Sequence, residues 1–289
     1  MADTANGPLL DIRNLVIEAT SYPPGEPPRK VTLVHGVSLT LARGKVMGLI
    51  GESGAGKSTI GLSSMAYGRG GVRITGGEVF LNGRDILKGG AGGLRSLRGR
   101  EVTYVAQSAA SAFNPALQLM DQVIETTLRH GLSSRAEACV RAVALFKRLG
   151  LPSPETIGSR YPHQVSGGQL QRVMTAMALC PKPDLVVFDE PTTALDVTTQ
   201  IEVLAAIKEA IRDTGVGALY ITHDLAVVAQ IADEIMVLRG GRMVIRVLAD
   251  ASPGVGFLPV EAGLEDVYFS TLHAHRQAQA PDAALTKAA

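Results

Sequence analysis

The sequence predicts an α/β fold in which a buried parallel sheet presents functional groups at its carboxyl edge. Three observations predict it. First, three short and almost wholly apolar runs, "KVMGLIG" (45–51), "DLVVFDE" (184–190) and "GALYITHD" (217–224), each end in glycine or polar residues, the pattern of strands covered on both faces. Second, "VSLTL" alternates, with Val37, Leu39 and Leu41 set against Ser38 and Thr40, which marks a half-buried strand and an antiparallel sheet near the N-terminus. Third, long stretches between these runs carry helical signals rather than strand signals.

The elements follow in chain order. Residues 9–19, "LLDIRNLVIEA", read as a first strand, and the Pro-rich "SYPPGEPPRK" as the loop after it. The alternating strand and then "KVMGLIG" come next, the latter running straight into a glycine-rich turn and a helix. "SSRAEACVRAVALFKRLG" opens with a capping box, Ser134 and Glu137, and stops at Gly150, so a helix is expected between them. Another helix starts near Val197, with Ile201, Leu204, Ile207 and Ile211 as one apolar stripe and Gly215 beyond its end. No internal repeat is visible. From about residue 250 the pattern weakens, and "HAHRQAQAPDAALTKAA" is expected to be a disordered tail.

Composition excludes several classes. The formal net charge of +1 over 289 residues gives no general pull toward nucleic acid or lipid. Aromatics are scarce and tryptophan is absent, which argues against stacking platforms for bases. Cys139 and Cys180 lack a CxxC spacing and read as free thiols in a reducing, cytoplasmic compartment. No basic start with a long apolar run opens the chain, so no secretory signal is expected. No stretch reaches the ~18 apolar residues of a spanning helix, so any membrane role passes through a partner.

The motifs carry the chemistry. "GESGAGKST" (Gly51, Glu52, Ser53, Gly54, Ala55, Gly56, Lys57, Ser58, Thr59) matches a phosphate loop between a buried strand and a helix. Its glycines let backbone N–H groups curl around a phosphate, and the helix start adds its dipole. Lys57 then reaches the β- and γ-phosphates, and Ser58 holds magnesium. Asp189 at the end of "LVVFD" suits the magnesium shell, and Glu190 suits a base that polarises water. His223 stands where it can meet a γ-phosphate, and Gln107 where it can touch magnesium or the attacking water. "VSGGQLQ" (165–171) resembles a second glycine-rich helix start, which one site does not need.

The order of phosphate loop, Gln107, "VSGGQ", "LVVFDEPTTALD" and "YITHD" resembles the nucleotide-binding subunit of an ATP-binding cassette (ABC) transporter, over residues 9 to 248. The resemblance implies a P-loop ABC ATPase cassette: a RecA-like core, an antiparallel β subdomain, and a helical subdomain at about 108–164, followed by a C-terminal extension at 249–289. It implies ATP and Mg2+ as cofactors. It also gives the second glycine-rich start a use, since cassettes of this family pair head to tail. Ser166, Gly167, Gly168 and Gln169 then bind the γ-phosphate held by the other subunit, and Asp196 lines the seam. Val165 stands where the family usually has leucine. For the adenine ring the nearest aromatic candidate is Tyr22, in the Pro-rich loop.

"RYPHQVSGGQLQRVMTAMAL", "DEPTTALDVTTQ" and "SAFNP" resemble cassettes of peptide, opine and nickel importers. That branch implies two permease subunits, a second ABC ATPase subunit (a sister or a second copy), an extracytoplasmic solute-binding protein, no nucleic acid, and a peripheral position on the cytoplasmic face of the cell membrane. The C-terminus departs from the branch: "GLEDVYFSTL" (263–272) is similar to the tails of some exporter cassettes. An exporter ATPase is the alternative reading, and a soluble cassette ATPase acting on DNA or ribosomes is a further one. Against the last stand a single cassette, no long heptad run and no zinc-type cysteines.

Overall fold

The computed structural model describes residues 7–192 and 195–244, without the side chain of Val244. The chain divides into two units, Met1–Met243 and Val244–Ala289. All of the second unit except Val244 lies outside the described residues, and with it the expected tail and the stretch 263–272.

The first unit contains two sheets. The antiparallel one has the order β2-β1-β4-β5, built from β1 (Leu10–Ser21), β2 (Arg29–Leu41), β4 (Val72–Leu81) and β5 (Arg84–Asp85). In β2, Val37, Leu39 and Leu41 are buried while Ser38 and Thr40 are exposed, as the alternation requires. The strand starts eight residues earlier than "VSLTL", at Arg29. That first half carries little apolar patterning and is held by backbone pairing to β1, from Ser21↔Arg29 to Ile17↔Val34.

The second sheet has the order β10-β9-β3-β8-β7-β6. Its strands are β3 (Val46–Gly51), β6 (Val102–Val105), β7 (Leu185–Asp189), β8 (Gly217–Ile221), β9 (Glu234–Arg239) and β10 (Arg242–Val244). The pairs β3–β8, β3–β9, β6–β7 and β7–β8 are parallel. Every residue of β7 and β8 is buried, and the Phe188 and Tyr220 rings stack with centroids 5.7 Å apart. Parallel pairing brings the ends of β3, β6, β7 and β8 to one edge of the sheet, where the motif residues lie.

Helix α1 (Lys57–Ser63) follows β3, and α2 (Gly90–Leu97) precedes β6. A helical region comes next: α3 (Ala109–Ala112), α4 (Leu119–Arg129) and α5 (Arg135–Arg148), with short 3-10 turns at Ile157–Ser159 and Pro162–Gln164. The capping box of α5 forms as expected, the Ser134 hydroxyl taking the Glu137 N–H and the Glu137 carboxylate taking the Ser134 N–H. Helices α6 (Gly167–Leu179), α7 (Val197–Thr214) and α8 (Leu225–Ile231) complete the unit. Cys139 is half-buried and Cys180 buried, both as free thiols.

One expected stripe is corrected. In α7, Leu204, Ile207 and Ile211 are buried, but Ile201 is 52% exposed, and Val203 and Ala210 complete the buried face. The reason is helical arithmetic. Each residue turns ~100°, so two successive steps of three fall about 120° behind full turns. That carries Ile201 off the face centred on Ile207.

Candidate active site

Gly51 closes β3 because nothing larger fits there: a Cβ would stand 2.2 Å from the carbonyl oxygen of Leu238, with φ at +153°. The loop then turns through Glu52–Gly56 to Lys57, the first residue of α1. Glu52, Ser53 and Gly54 are exposed, Ala55 is buried, and Ser58 and Thr59 are half-buried on the first turn of α1. Lys57 is only 5% exposed. Its ammonium donates to the carbonyl oxygens of Gly51 (2.7 Å) and Glu52 (2.9 Å), so the loop folds around its own cation.

Asp189 is the last residue of β7 and is buried. The Ser58 hydroxyl donates to its Oδ1 at 2.7 Å. The Tyr104 hydroxyl, from β6, donates to its Oδ2. The Tyr104 phenol is pushed up in pKa by burial first and by the Asp189 carboxylate second, so it remains a neutral donor.

Glu190 turns sharply out of β7. Its φ is +48° although it is not glycine and precedes Pro191, a backbone state that costs about 1–2 kcal/mol. The turn is held by the Glu190 N–H, which donates to the Ile221 carbonyl at the end of β8 (2.9 Å). Residues just past the two neighbouring strands meet the Glu190 carboxylate. Gln107, exposed just past β6, donates from Nε2 to Oε2 at 3.2 Å. His223, two residues past β8, sets Nδ1 3.2 Å from Oε1. Lys57, Ser58, Gln107, Asp189, Glu190 and His223, spread over 167 positions of sequence, thus stand at one sheet edge.

The other glycine-rich start is built differently. Ser166 is the N-cap of α6: its hydroxyl accepts from Gln169 N–H, and the Gln169 amide oxygen accepts from Ser166 N–H. That box leaves the N–H groups of Gly167 and Gly168, at the first two helical positions, without an intrahelical acceptor. Gly167 is exposed, with open space where a Cβ would be. Gly168 is buried, and a Cβ there would stand 2.5 Å from Cγ2 of Thr199. Among the described residues no hydrogen bond joins Ser166–Gln169 to the loop Gly51–Thr59. Asp196 caps α7, accepting from Thr199 N–H (3.0 Å) and Thr199 hydroxyl (2.6 Å). The Thr199 hydroxyl, then its N–H, hold the Asp196 carboxyl below its usual range. Tyr22 stands just past β1 and is 74% exposed.

Two residues escaped motif reading. One is Tyr104. The other is Arg172, which donates to the Gly150 carbonyl (3.0 Å) and pairs with Glu202 (2.7 Å). A phenol in a short apolar strand, three residues before Gln107, is the signal for the first; nothing local marks the second.

An ATP-binding P-loop cassette is the class of protein that this fold and these motifs define. The ABC transporter family model matches residues 34–193. The chain is 38% identical over 239 residues to the dipeptide transport ATP-binding protein DppD of Bacillus subtilis, covering 81% of this chain and 69% of that protein. It is 37% identical over 238 residues to the probable D,D-dipeptide transport ATP-binding protein DdpD of Escherichia coli, covering 82% of this chain and 71% of that one. The fold matches the dimeric post-hydrolysis structure of the ATP-binding cassette MJ0796 bound to ADP and Pi, with a TM-score of 0.67 over 81% of this chain and 96% of that chain, at 23% identity. The chain belongs to the ABC transporter family. Its activity is that of the family's cassettes, ATP hydrolysis.

Proposed function

We propose that this chain powers uptake of peptide-like solutes by hydrolysing Mg-ATP as one of two paired cassettes. It does so beneath permease subunits on the cytoplasmic face of the cell membrane. The cassette spans about 9–248 with its helical part at about 108–164, and an extracytoplasmic solute-binding protein delivers the cargo. The dipeptide-transport names of its relatives support the solute class. The absence, among the described residues, of any helix long and apolar enough to cross a membrane agrees with permeases as separate partners.

The observation that carries the catalytic reading is the meeting of Ser58 with Asp189 and of Gln107 and His223 with Glu190 at one sheet edge. Lys57 exchanges the Gly51 and Glu52 carbonyls for the β- and γ-phosphates, so binding replaces bonds rather than creating a buried charge. Magnesium takes hard oxygen ligands, and the Ser58 hydroxyl, the Asp189 carboxylate and the Gln107 side-chain amide offer them. Bound there with ATP, the ion would supply the positive charge that offsets charge developing on the transferred phosphoryl group. Glu190 orients and polarises the attacking water, with Gln107 and His223 fixing its two oxygens, and His223 steadies the γ-phosphate. Gly167 and Gly168, with free N–H groups at the start of a 13-residue helix, bind the γ-phosphate of the partner cassette. Asp196, the cap of α7 held by Thr199, lines the seam of the pair.

The test is light scattering of purified Glu190→Gln protein with and without Mg-ATP. Doubling of mass with ATP shows self-pairing through this chain's own signature. A monomer that binds ATP points to a sister subunit, and the measurement is repeated with that subunit. No ATP binding overturns the nucleotide reading. For the solute, cells whose only copy carries Lys57→Ala should lose uptake of labelled peptides; undiminished uptake of every peptide tried refutes the class.

A further inference from the structure

We infer that Tyr104 is a positioning residue for the divalent cation of the ATP site, acting through Asp189. The inference rests on the nucleotide reading above and adds to it a residue outside the phosphate loop and the carboxylate turn.

Tyr104 lies in β6, in parallel register with β7: Thr103 pairs with Val186, Tyr104 with Val187 and Val105 with Phe188. That register carries its hydroxyl to Oδ2 of Asp189, while the Ser58 hydroxyl takes Oδ1. Two donors from separate elements therefore fix the plane of the carboxylate. Asp189 is 9% exposed, so water is a poor replacement for either donor. The division has a consequence. Ser58 and Oδ1 can turn to the cation together, while Tyr104 keeps its hold on Oδ2 and presents the carboxylate in one orientation. Partners that orient a metal-binding carboxylate set affinity about as strongly as some ligands do, with losses of about 10- to 100-fold when they are removed.

The packing around the ring makes the idea testable. Tyr104 lines an open cavity of about 340 Å³ together with Leu62, Met65, Tyr67, Arg69 and Arg98. Phenylalanine keeps the ring and its contacts with that wall, so Tyr104→Phe removes little beyond the oxygen.

The experiment is a Mn2+ titration followed by electron paramagnetic resonance on the full chain, in the presence of a non-hydrolysable ATP analogue. Wild type, Tyr104→Phe, Asp189→Asn and the double variant are compared, and binding of the analogue is measured separately in EDTA. Tyr104→Phe should bind the analogue in EDTA as wild type does but bind Mn2+ about tenfold more weakly. Asp189→Asn should lose at least as much, and the double variant should be no worse than Asp189→Asn. A Mn2+ affinity within about twofold of wild type in Tyr104→Phe, alongside a loss in Asp189→Asn, overturns the role of Tyr104 and leaves the nucleotide reading intact. Undiminished Mn2+ affinity in Asp189→Asn overturns the metal role of Asp189 and this inference with it, whereas loss of analogue binding in EDTA by the wild type overturns the nucleotide reading itself. Should Tyr104→Phe fail to fold, fluorotyrosine at position 104 keeps the size and strengthens the donor; Mn2+ affinity that does not respond to it refutes the inference.

Discussion

Arg172 is expected to be the main fastener between the helical region and the rest of the cassette, and Arg172→Met is the substitution that measures it. The guanidinium sits at the C-terminus of α5, donating to Gly150 O at 3.0 Å and, at the limit of useful geometry, to Leu149 O at 3.5 Å. Its third partner is Glu202 on α7 at 2.7 Å. The side chain of Arg172 is 12% exposed and that of Glu202 61%, so the three contacts differ in worth. A charged hydrogen bond to a backbone carbonyl contributes about 1.5–3 kcal/mol. The ion pair to an exposed glutamate contributes about 0.2–1 kcal/mol. Methionine keeps the apolar stem, so Arg172→Met should cost about 2–3 kcal/mol. Glu202→Gln should cost less than about 1 kcal/mol, and Arg172→Lys should fall between the two. Because the chain has no tryptophan, urea unfolding is followed by circular dichroism at helical wavelengths. The order of the three variants is the test. If Glu202→Gln costs as much as Arg172→Met, the surface ion pair rather than the carbonyl clamp fastens the helices, and the reasoning fails.

The remaining expectations are briefer. Lys57→Ala should weaken ATP binding about 10- to 100-fold, the worth of one or two charge-assisted bonds; calorimetry showing unchanged affinity refutes the loop assignment. Glu190→Gln should keep ATP affinity and lower kcat by about 10²- to 10⁴-fold, and phosphate release at the wild-type rate would remove Glu190 from its role. Gly168→Ala should destabilise the chain by about 1–3 kcal/mol, because the new methyl meets Cγ2 of Thr199 at 2.5 Å. Thr199→Ser in the same chain removes that methyl but keeps the hydroxyl for Asp196, and should recover most of the loss in the urea midpoint. Asp85, Glu137 and Asp196 are held below their usual carboxyl ranges, by the Lys88 ammonium, the Ser134 N–H and the Thr199 hydroxyl respectively. Their folded-state values are depressed, so their stabilisation is present above about pH 4 and is lost as pH falls through the folded values. The urea midpoint should drop between pH 5 and pH 3, less steeply in Asp196→Asn; a flat midpoint refutes it.

What the sequence discloses here depends on how far apart the interacting residues lie. The runs 45–51, 184–190 and 217–224 announce buried parallel strands because burial on both faces acts on each strand separately, and β7 and β8 are buried throughout. The box of Ser134 and Glu137 is legible because both partners fall within one turn of helix. The carboxylate turn at Asp189 and Glu190 is legible for a different reason: the chemistry proposed for it restricts the residue types, so Asp189, Glu190 and His223 stand out at the ends of apolar strands. Tyr104 meets Asp189 across 85 positions and Arg172 meets Glu202 across 30. Neither is constrained by its neighbours in sequence, and the contact exists only once β6 lies beside β7 or α6 beside α7. The early part of β2 is hidden likewise, since it is a strand only through pairing with β1. Ile201 shows the converse error. A local apolar spacing was present, yet the face it implied turned away from the core by the arithmetic of the helix, leaving the side chain 52% exposed. Local rules thus locate the elements and the candidate site residues of this cassette, while contacts such as those of Tyr104 and Arg172 emerge only from the register of the sheet and the crossing of the helices.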